Sequence, residues 1–152
     1  MAREPEHSRR DFVKAAGTVT AATAATVLGA PAIARAQSNG NVVRYGLIGT
    51  GARGCYLLRH MATLSNCRCV ALCDTYEPNL KNGVKDAGSN PRTYKTHEAL
   101  LEDKEVEAVV VTTPLYEHFR VTRDALLAGK HVFCEKSLVF RPDEVHALRA
   151  LA

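Results

Sequence analysis

The sequence has no tryptophan and no run of roughly 18 consecutive apolar residues, so it holds no ordinary membrane-spanning helix. It also has little excess of one charge. Twenty Lys and Arg against 16 Asp and Glu give a net of +4 over 152 residues, too mild and dispersed to point to nucleic acid. A disulfide framework is missing too. The five cysteines (Cys55, Cys67, Cys69, Cys73 and Cys134) are odd in number, and three fall within one apolar run. Nor do they offer C-x-x-C spacing with nearby histidines, as a zinc site requires, so no metal is expected. Cys67 and Cys69 share one face of an expected strand, Cys73 is expected to join them, and all read as small buried hydrophobes. What is present, 46% hydrophobic and 24% charged residues, is the composition of a globular protein. The length suits about one domain.

The first 36 residues are expected to be an address rather than part of the fold. Ser8-Arg9-Arg10-Asp11-Phe12-Val13-Lys14 is a twin-arginine pattern, followed by an Ala- and Thr-rich stretch to Ala30. Ala34-Arg35-Ala36 fits an A-x-A cleavage site. The threonines make the stretch too polar for a stable anchor. The twin-arginine translocon is thus an expected transient partner, and the protein is expected to be periplasmic or otherwise exported. The remainder, 37–152, carries only half of the net positive charge, because the leader holds five of the 20 basic and three of the 16 acidic residues. The alternative is an Ala-rich amphipathic helix.

From Asn41 onward, β-rich runs alternate with helical patterns. Strands are expected at 41–48, Cys67–Cys73, Arg92–Tyr94, Val106–Val111 and His131–Cys134. Between them, a helix from Ala52 carries Leu57, Leu58, Met61 and Leu64. Another opens at Glu77-Pro78-Asn79, and a short one spans 96–101. A helix with Leu115, Phe119, Thr122 and Leu126 on one face closes at Gly129, and a last one starts at Pro142 with Val145, Leu148 and Leu151 aligned. Short apolar strands separated by helices imply an α/β fold, a doubly wound parallel sheet of the Rossmann type.

Gly49-Thr50-Gly51-Ala52-Arg53-Gly54 is G-x-G-x-x-G, placed after the first strand and before the first helix, as dinucleotide binding requires. The first glycine permits the turn, the second lets backbone approach a pyrophosphate, and the third allows close packing of helix on strand. The helix N-terminus offers free N–H groups and the positive end of its dipole. Asp74 ends the second strand 20 residues after Gly54, where a carboxylate accepts from a ribose diol and repels a 2′-phosphate. With no arginine at Thr75 or Tyr76 to compensate, NAD is expected over NADP. The plainer alternative is a glycine turn and a capping aspartate with no ligand. Thr113, Pro114 and His118 after the fourth strand, and Glu135 and Lys136 after the fifth, line the same expected crevice, since ligands sit beyond the carboxyl ends of such strands.

These segments, Gly46 to Gly54, Cys73-Asp74, Val109 to Pro114 with His118, and Ala128-Gly129-Lys130-His131-Val132-Phe133-Cys134-Glu135-Lys136, together resemble the Gfo/Idh/MocA family of oxidoreductases. The resemblance implies an NAD(P)-binding N-terminal domain followed by a substrate domain for sugars or polyols that also builds homo-oligomers. It implies that Gly49, Gly51 and Gly54, with Ala52 and Arg53 between them, meet the pyrophosphate, and that Asp74 meets the adenosine ribose. Thr113, Pro114 and His118 would lie along the cofactor, and Glu135 would approach the nicotinamide ribose. Lys136 matches a lysine that takes part in catalysis beside the reacting carbinol. Ser137 stands where the family usually has proline. The family's second-domain aspartate and histidine have no counterpart, and an intact domain of this type needs a sixth strand, so a partial sequence of a longer enzyme, inactive alone, is expected.

The function implied is exported, NAD-dependent hydride transfer to or from a sugar, polyol or related cyclic alcohol. A second reading is a glycosidase that uses NAD transiently to oxidise the sugar before elimination. Such relatives share the G-x-G-x-R-G loop but tend to replace the lysine at position 136. A third is a non-catalytic dinucleotide-binding module, if the natural chain stops at Ala152.

Overall fold

The computed structural model describes residues 42–152, so the twin-arginine leader and Asn41 lie outside the described residues. Five strands, β1 (Val43–Ile48), β2 (Cys67–Cys73), β3 (Arg92–Tyr94), β4 (Ala108–Val111) and β5 (His131–Cys134), form one sheet. Its order is β3-β2-β1-β4-β5, and every pairing is parallel. The helices are α1 (Ala52–Met61), α2 (Glu77–Asp86), α3 (His97–Leu101), α4 (His118–Leu127) and α5 (Pro142–Arg149). The doubly wound α/β expectation holds, and the strand order reverses between β1 and β4, which places a crevice beyond their carboxyl ends. No helix among the described residues is long and apolar enough to cross a membrane.

Side-chain alternation divides the core between the two faces of the sheet. Tyr45, Leu47, Cys69, Leu72 and Val110 meet Leu58 of α1 and Leu80 of α2. Ile48, Ala71, Cys73, Val109 and Val111 meet Leu100 and Leu101 of α3 and Val121 and Ala125 of α4. α5 packs on α4 rather than on the sheet and buries only Leu148, while Val145 and Leu151 of the expected stripe stay exposed.

The structure corrects the sequence reading in several places. Tyr45 pairs with Cys69 but Gly46 pairs with Ala71, so Val70 is an extra residue in β2. This bulge resets the alternation. Cys67 and Cys69 face α1 and α2, and Cys73 faces the opposite side instead of joining them. All five thiols are free. β4 begins at Ala108, not Val106, because the Val106 N–H donates to the Asp103 carbonyl in a turn. The buried face of α4 is His118, Val121, Thr122 and Ala125, and Leu115 is exposed. Residues 115–117 coil as a 3₁₀ turn, so a helical period counted from Leu115 carries the wrong phase into α4. On α1 the buried residues are Gly54, Cys55 and Leu58, and Leu64 lies exposed beyond the helix end.

Candidate functional site

β1 delivers the chain into the glycine loop at the centre of the sheet. The Gly49 N–H donates to the Cys73 carbonyl at 2.8 Å, which tucks the turn against β2. Gly49 has φ +98°, a conformation that side chains disfavour, and a Cβ there would lie 2.7 Å from the Thr112 carbonyl carbon. A Cβ at Gly54 would lie 2.1 Å from the Gly49 carbonyl oxygen. Packing inside the protein therefore demands glycine at both positions. Gly51 is different. Its φ is −68°, open to any residue, and a Cβ there meets nothing nearer than Asn79 Nδ2 at 4.0 Å. No internal contact explains the missing side chain. The space it leaves lies at the N-terminus of α1, where no side chain caps the first N–H groups. A pyrophosphate fits such a cradle, because it needs close backbone approach and unshared N–H donors.

Asp74 leaves β2 beside this loop, half-buried. Its Oδ2 accepts from the Thr50 N–H at 2.8 Å, the Thr50 hydroxyl at 3.2 Å and Asn79 Nδ2 at 3.2 Å. Its Oδ1 accepts from the Tyr76 N–H at 2.8 Å. The carboxylate thus ties the loop to the start of α2. Thr112 does the same from β4, its hydroxyl donating to the Gly49 carbonyl at 2.6 Å. The sequence reading gives no role to Thr50 or Asn79, and it includes Thr112 only within the run from Val109 to Pro114. An amide in the first turn of the helix after Asp74, and a hydroxyl immediately beyond β4, are the signals that mark the latter two.

Two clefts open at the strand ends. One, of 450 Å³, runs past Gly49, Asp74, Thr75, Lys95, Thr113 and Pro114. The other, of 570 Å³, is lined by Arg53, Thr112, Thr113, His118, Glu135 and Lys136. Thr113 borders both, and its buried hydroxyl has no hydrogen-bond partner among the described residues. An unsatisfied buried hydroxyl is costly, so a polar ligand group reaching it would be well rewarded. The two clefts together with the Gly51 cradle suit an elongated molecule with a polyanionic middle. Ala52 lies exposed on the first turn of α1, beside Arg53.

The second cleft holds the charged groups. Arg53 donates to Glu135 Oε1 through Nε at 2.9 Å and through Nη2 at 2.5 Å, joining α1 to the end of β5. This bonding holds the Glu135 carboxyl below its ordinary range. The Glu135 N–H also donates to the Val111 carbonyl at 3.0 Å. His118 is 2% exposed, with Nδ1 2.9 Å from the Ser137 carbonyl oxygen and Nε2 3.0 Å from that of Thr113. Lys136 lies between these fastened neighbours with its side chain exposed, and the Lys136–Ser137 peptide is cis. Of the residues singled out from the sequence, Gly49, Asp74, Thr113 and Pro114 line the first cleft, Arg53, Thr113, His118, Glu135 and Lys136 line the second, Gly51 and Ala52 border a third hollow at the N-terminus of α1, and Gly54 is buried beneath the loop.

Two other features are an acidic and histidine cluster, whose His97 and Glu98 line the first cleft together with Asp74, and a hollow away from the strand ends. His97, Glu98 and Asp124 bring potential metal ligands within 4.8 Å of one another. Arg123 and Arg120 already pair with Asp124 and Glu98, which makes the cluster a charge network holding α3 to α4. An apolar hollow of 450 Å³, lined in part by Tyr45, Leu57, Met61, Val110 and Phe133, lies on the sheet face beside β5.

Residues 43–152 match the profile of the oxidoreductase family with an NAD-binding Rossmann fold, Gfo/Idh/MocA. An α-N-acetylgalactosaminidase of Shewanella oneidensis is 30% identical over 159 residues, covering 90% of this chain and 35% of its own length. Among solved structures, a myo-inositol dehydrogenase of Lactobacillus casei in complex with NAD(H) and myo-inositol superposes with a TM-score of 0.68 at 28% identity. The match covers 72% of this chain and 33% of that one. A 3-ketoreductase of Actinomadura kijaniata in complex with NADP gives a TM-score of 0.66 at 28% identity, over 73% of this chain and 35% of that one. The chain spans about a third of the length of the curated relatives it matches.

Proposed function

The chain belongs to the Gfo/Idh/MocA oxidoreductases, and from that premise we propose that it is the dinucleotide-binding part of an exported, NAD-dependent enzyme acting on a sugar, polyol or related cyclic alcohol. The carrying observation is Gly51, whose absent side chain serves no contact within the protein and clears the uncapped N-terminus of α1. The α1 N–H groups hold the pyrophosphate. Asp74, kept in place by Thr50 and Asn79, faces the adenosine ribose. Its charge beside that ribose disfavours a 2′-phosphate, which supports NAD over NADP. Thr113 and Pro114 flank the cofactor between the clefts, and Glu135 meets the nicotinamide ribose.

Bound nicotinamide supplies a hydride acceptor or donor. The protein's part is to handle the proton of the reacting hydroxyl. Lys136 is the catalytic residue proposed for that task, its exposed ammonium orienting the hydroxyl and stabilising developing alkoxide in the crevice. The substrate-binding surface and the homo-oligomer interface are assigned to polypeptide beyond these residues, and residues 1–36 to twin-arginine export into the periplasm. The test is to purify the full-length enzyme from an exporting host and analyse it by absorbance and mass spectrometry. Retained NAD with the leader removed is the expected result, retained NADP reverses the cofactor assignment, and the absence of any dinucleotide overturns the reading.

A second reading is favoured by the galactosaminidase likeness and by Arg53, which gives the loop the form G-x-G-x-R-G. In it the same crevice uses NAD transiently during glycoside cleavage. Hydrolysis of a nitrophenyl N-acetylhexosaminide without net NADH accumulation would establish it in place of the first.

A further inference from the structure

His118 is buried at the start of α4, and both of its ring nitrogens face carbonyl oxygens, of Thr113 on the exit of β4 and of Ser137 beyond β5. Carbonyl oxygens only accept, so each contact needs a ring N–H. A neutral ring satisfies one, and a protonated ring satisfies both. Either way the ring is committed to backbone, and it joins the ends of two neighbouring strands. The residue it reaches on the far side follows Lys136 directly. On the other flank, Glu135 is fastened to Val111 through its N–H and to Arg53 through its carboxylate. A short turn held at both neighbours leaves its middle residue little freedom in where its side chain starts.

We propose that His118 is a positioning residue for Lys136, fastening the turn that presents the ammonium to the crevice. This rests on the role proposed for Lys136 above. His118 acts through the Ser137 carbonyl, and its loss frees the turn without emptying the pyrophosphate cradle, which is built from Gly49, Gly51 and Gly54. Misplacing a reacting group by about 1 Å costs on the order of a hundredfold in rate, so losing this fastening should show mainly in turnover.

The test uses His118→Phe, which keeps a ring without donors, and His118→Gln, which restores one donor. In the full-length enzyme, His118→Phe should lower kcat by about 10- to 100-fold with the KM for NAD nearly unchanged, and His118→Gln should recover part of the loss. In parallel, amide NMR spectra of the present chain should show signals of residues 135–138 moved by His118→Phe, with those of 51–54 in place. Should His118→Phe not fold, His118→Gln is read alone against wild type by the same two measurements, with smaller changes of the same pattern expected. A raised KM at unchanged kcat, or signals of 135–138 that stay where they were, would overturn the proposal. If the wild-type enzyme oxidises nothing, the functional reading fails, and the amide signals still decide whether His118 holds the turn.

Discussion

An alanine at Gly54 would bring its Cβ to 2.1 Å from the Gly49 carbonyl oxygen, so the loop or the helix must shift to admit it. An alanine at Gly51 meets open space at an ordinary φ. Gly54→Ala should therefore destabilise the fold by about 2 kcal/mol or more, as overpacking against rigid backbone does. Gly51→Ala should leave the unfolding free energy within about 0.5 kcal/mol of wild type while weakening NADH binding by about tenfold or more, since the methyl occupies the place of a pyrophosphate. Urea titration beside calorimetric binding separates the two effects. Equal loss of stability in both variants would mean that Gly51 serves packing after all. The motif alone shows three glycines, and only the surroundings of each one tell which of them answers to the fold and which to a ligand.

Within the elements, two local contacts lend themselves to test. Asp103, before β4, accepts from Arg92 Nε and the Tyr94 hydroxyl of β3, both at 2.9 Å, and from the Glu105 N–H at 2.9 Å. Burial works against its charge, but these donors outweigh burial and hold the carboxyl below its ordinary range. A carboxyl depressed in the folded state stabilises above its unfolded value, near pH 4, and loses that contribution as the pH falls through the folded value. Asp103→Asn should thus cost about 1–2 kcal/mol at pH 7, with the gap to wild type narrowing below about pH 4 in urea titrations. On α4, Ala125→Leu at a fully buried position should cost about 1–3 kcal/mol, whereas Leu127→Gln, at a residue 65% exposed, should stay within about 0.5 kcal/mol. The reverse ranking would contradict the buried face of His118, Val121, Thr122 and Ala125, which a count from Leu115 misses by one residue. That face shows why the strands and the glycine loop were legible in the sequence while parts of the packing were not. Apolar runs and turn residues mark where elements exist. The 3₁₀ turn at 115–117 and the bulge at Val70 each change the phase by one residue, and neither carries a side-chain signature that would have announced it. The placement of the candidate residues was legible because Gly49, Asp74, Thr113 and Glu135 each follow an apolar run that ends a strand. The hydrogen bonds from Thr50, Asn79 and Thr112 were not, because they depend on loop conformation rather than on spacing.

At the scale of the whole molecule, the central sheet acts as a partition. Burial pushes the Cys69 and Cys73 thiols up to about 12, so the reactive thiolate is scarce at neutral pH. Thiol labelling of the native chain should modify the half-buried Cys67 and Cys134 first and leave Cys55, Cys69 and Cys73 protected until unfolding, which peptide mass mapping would show. Early labelling of Cys73 would contradict its place in the core. The extra residue at Val70 then has a consequence for redox chemistry. It turns Cys69 and Cys73 to opposite sides of a hydrogen-bonded sheet, and four positions of extended strand separate them by about 13 Å at Cα, beyond the ~7 Å that an S–S bond spans. Oxidation of the folded chain should therefore leave that pair uncrosslinked on two independent grounds, the length of strand between the thiols and the sheet that divides them.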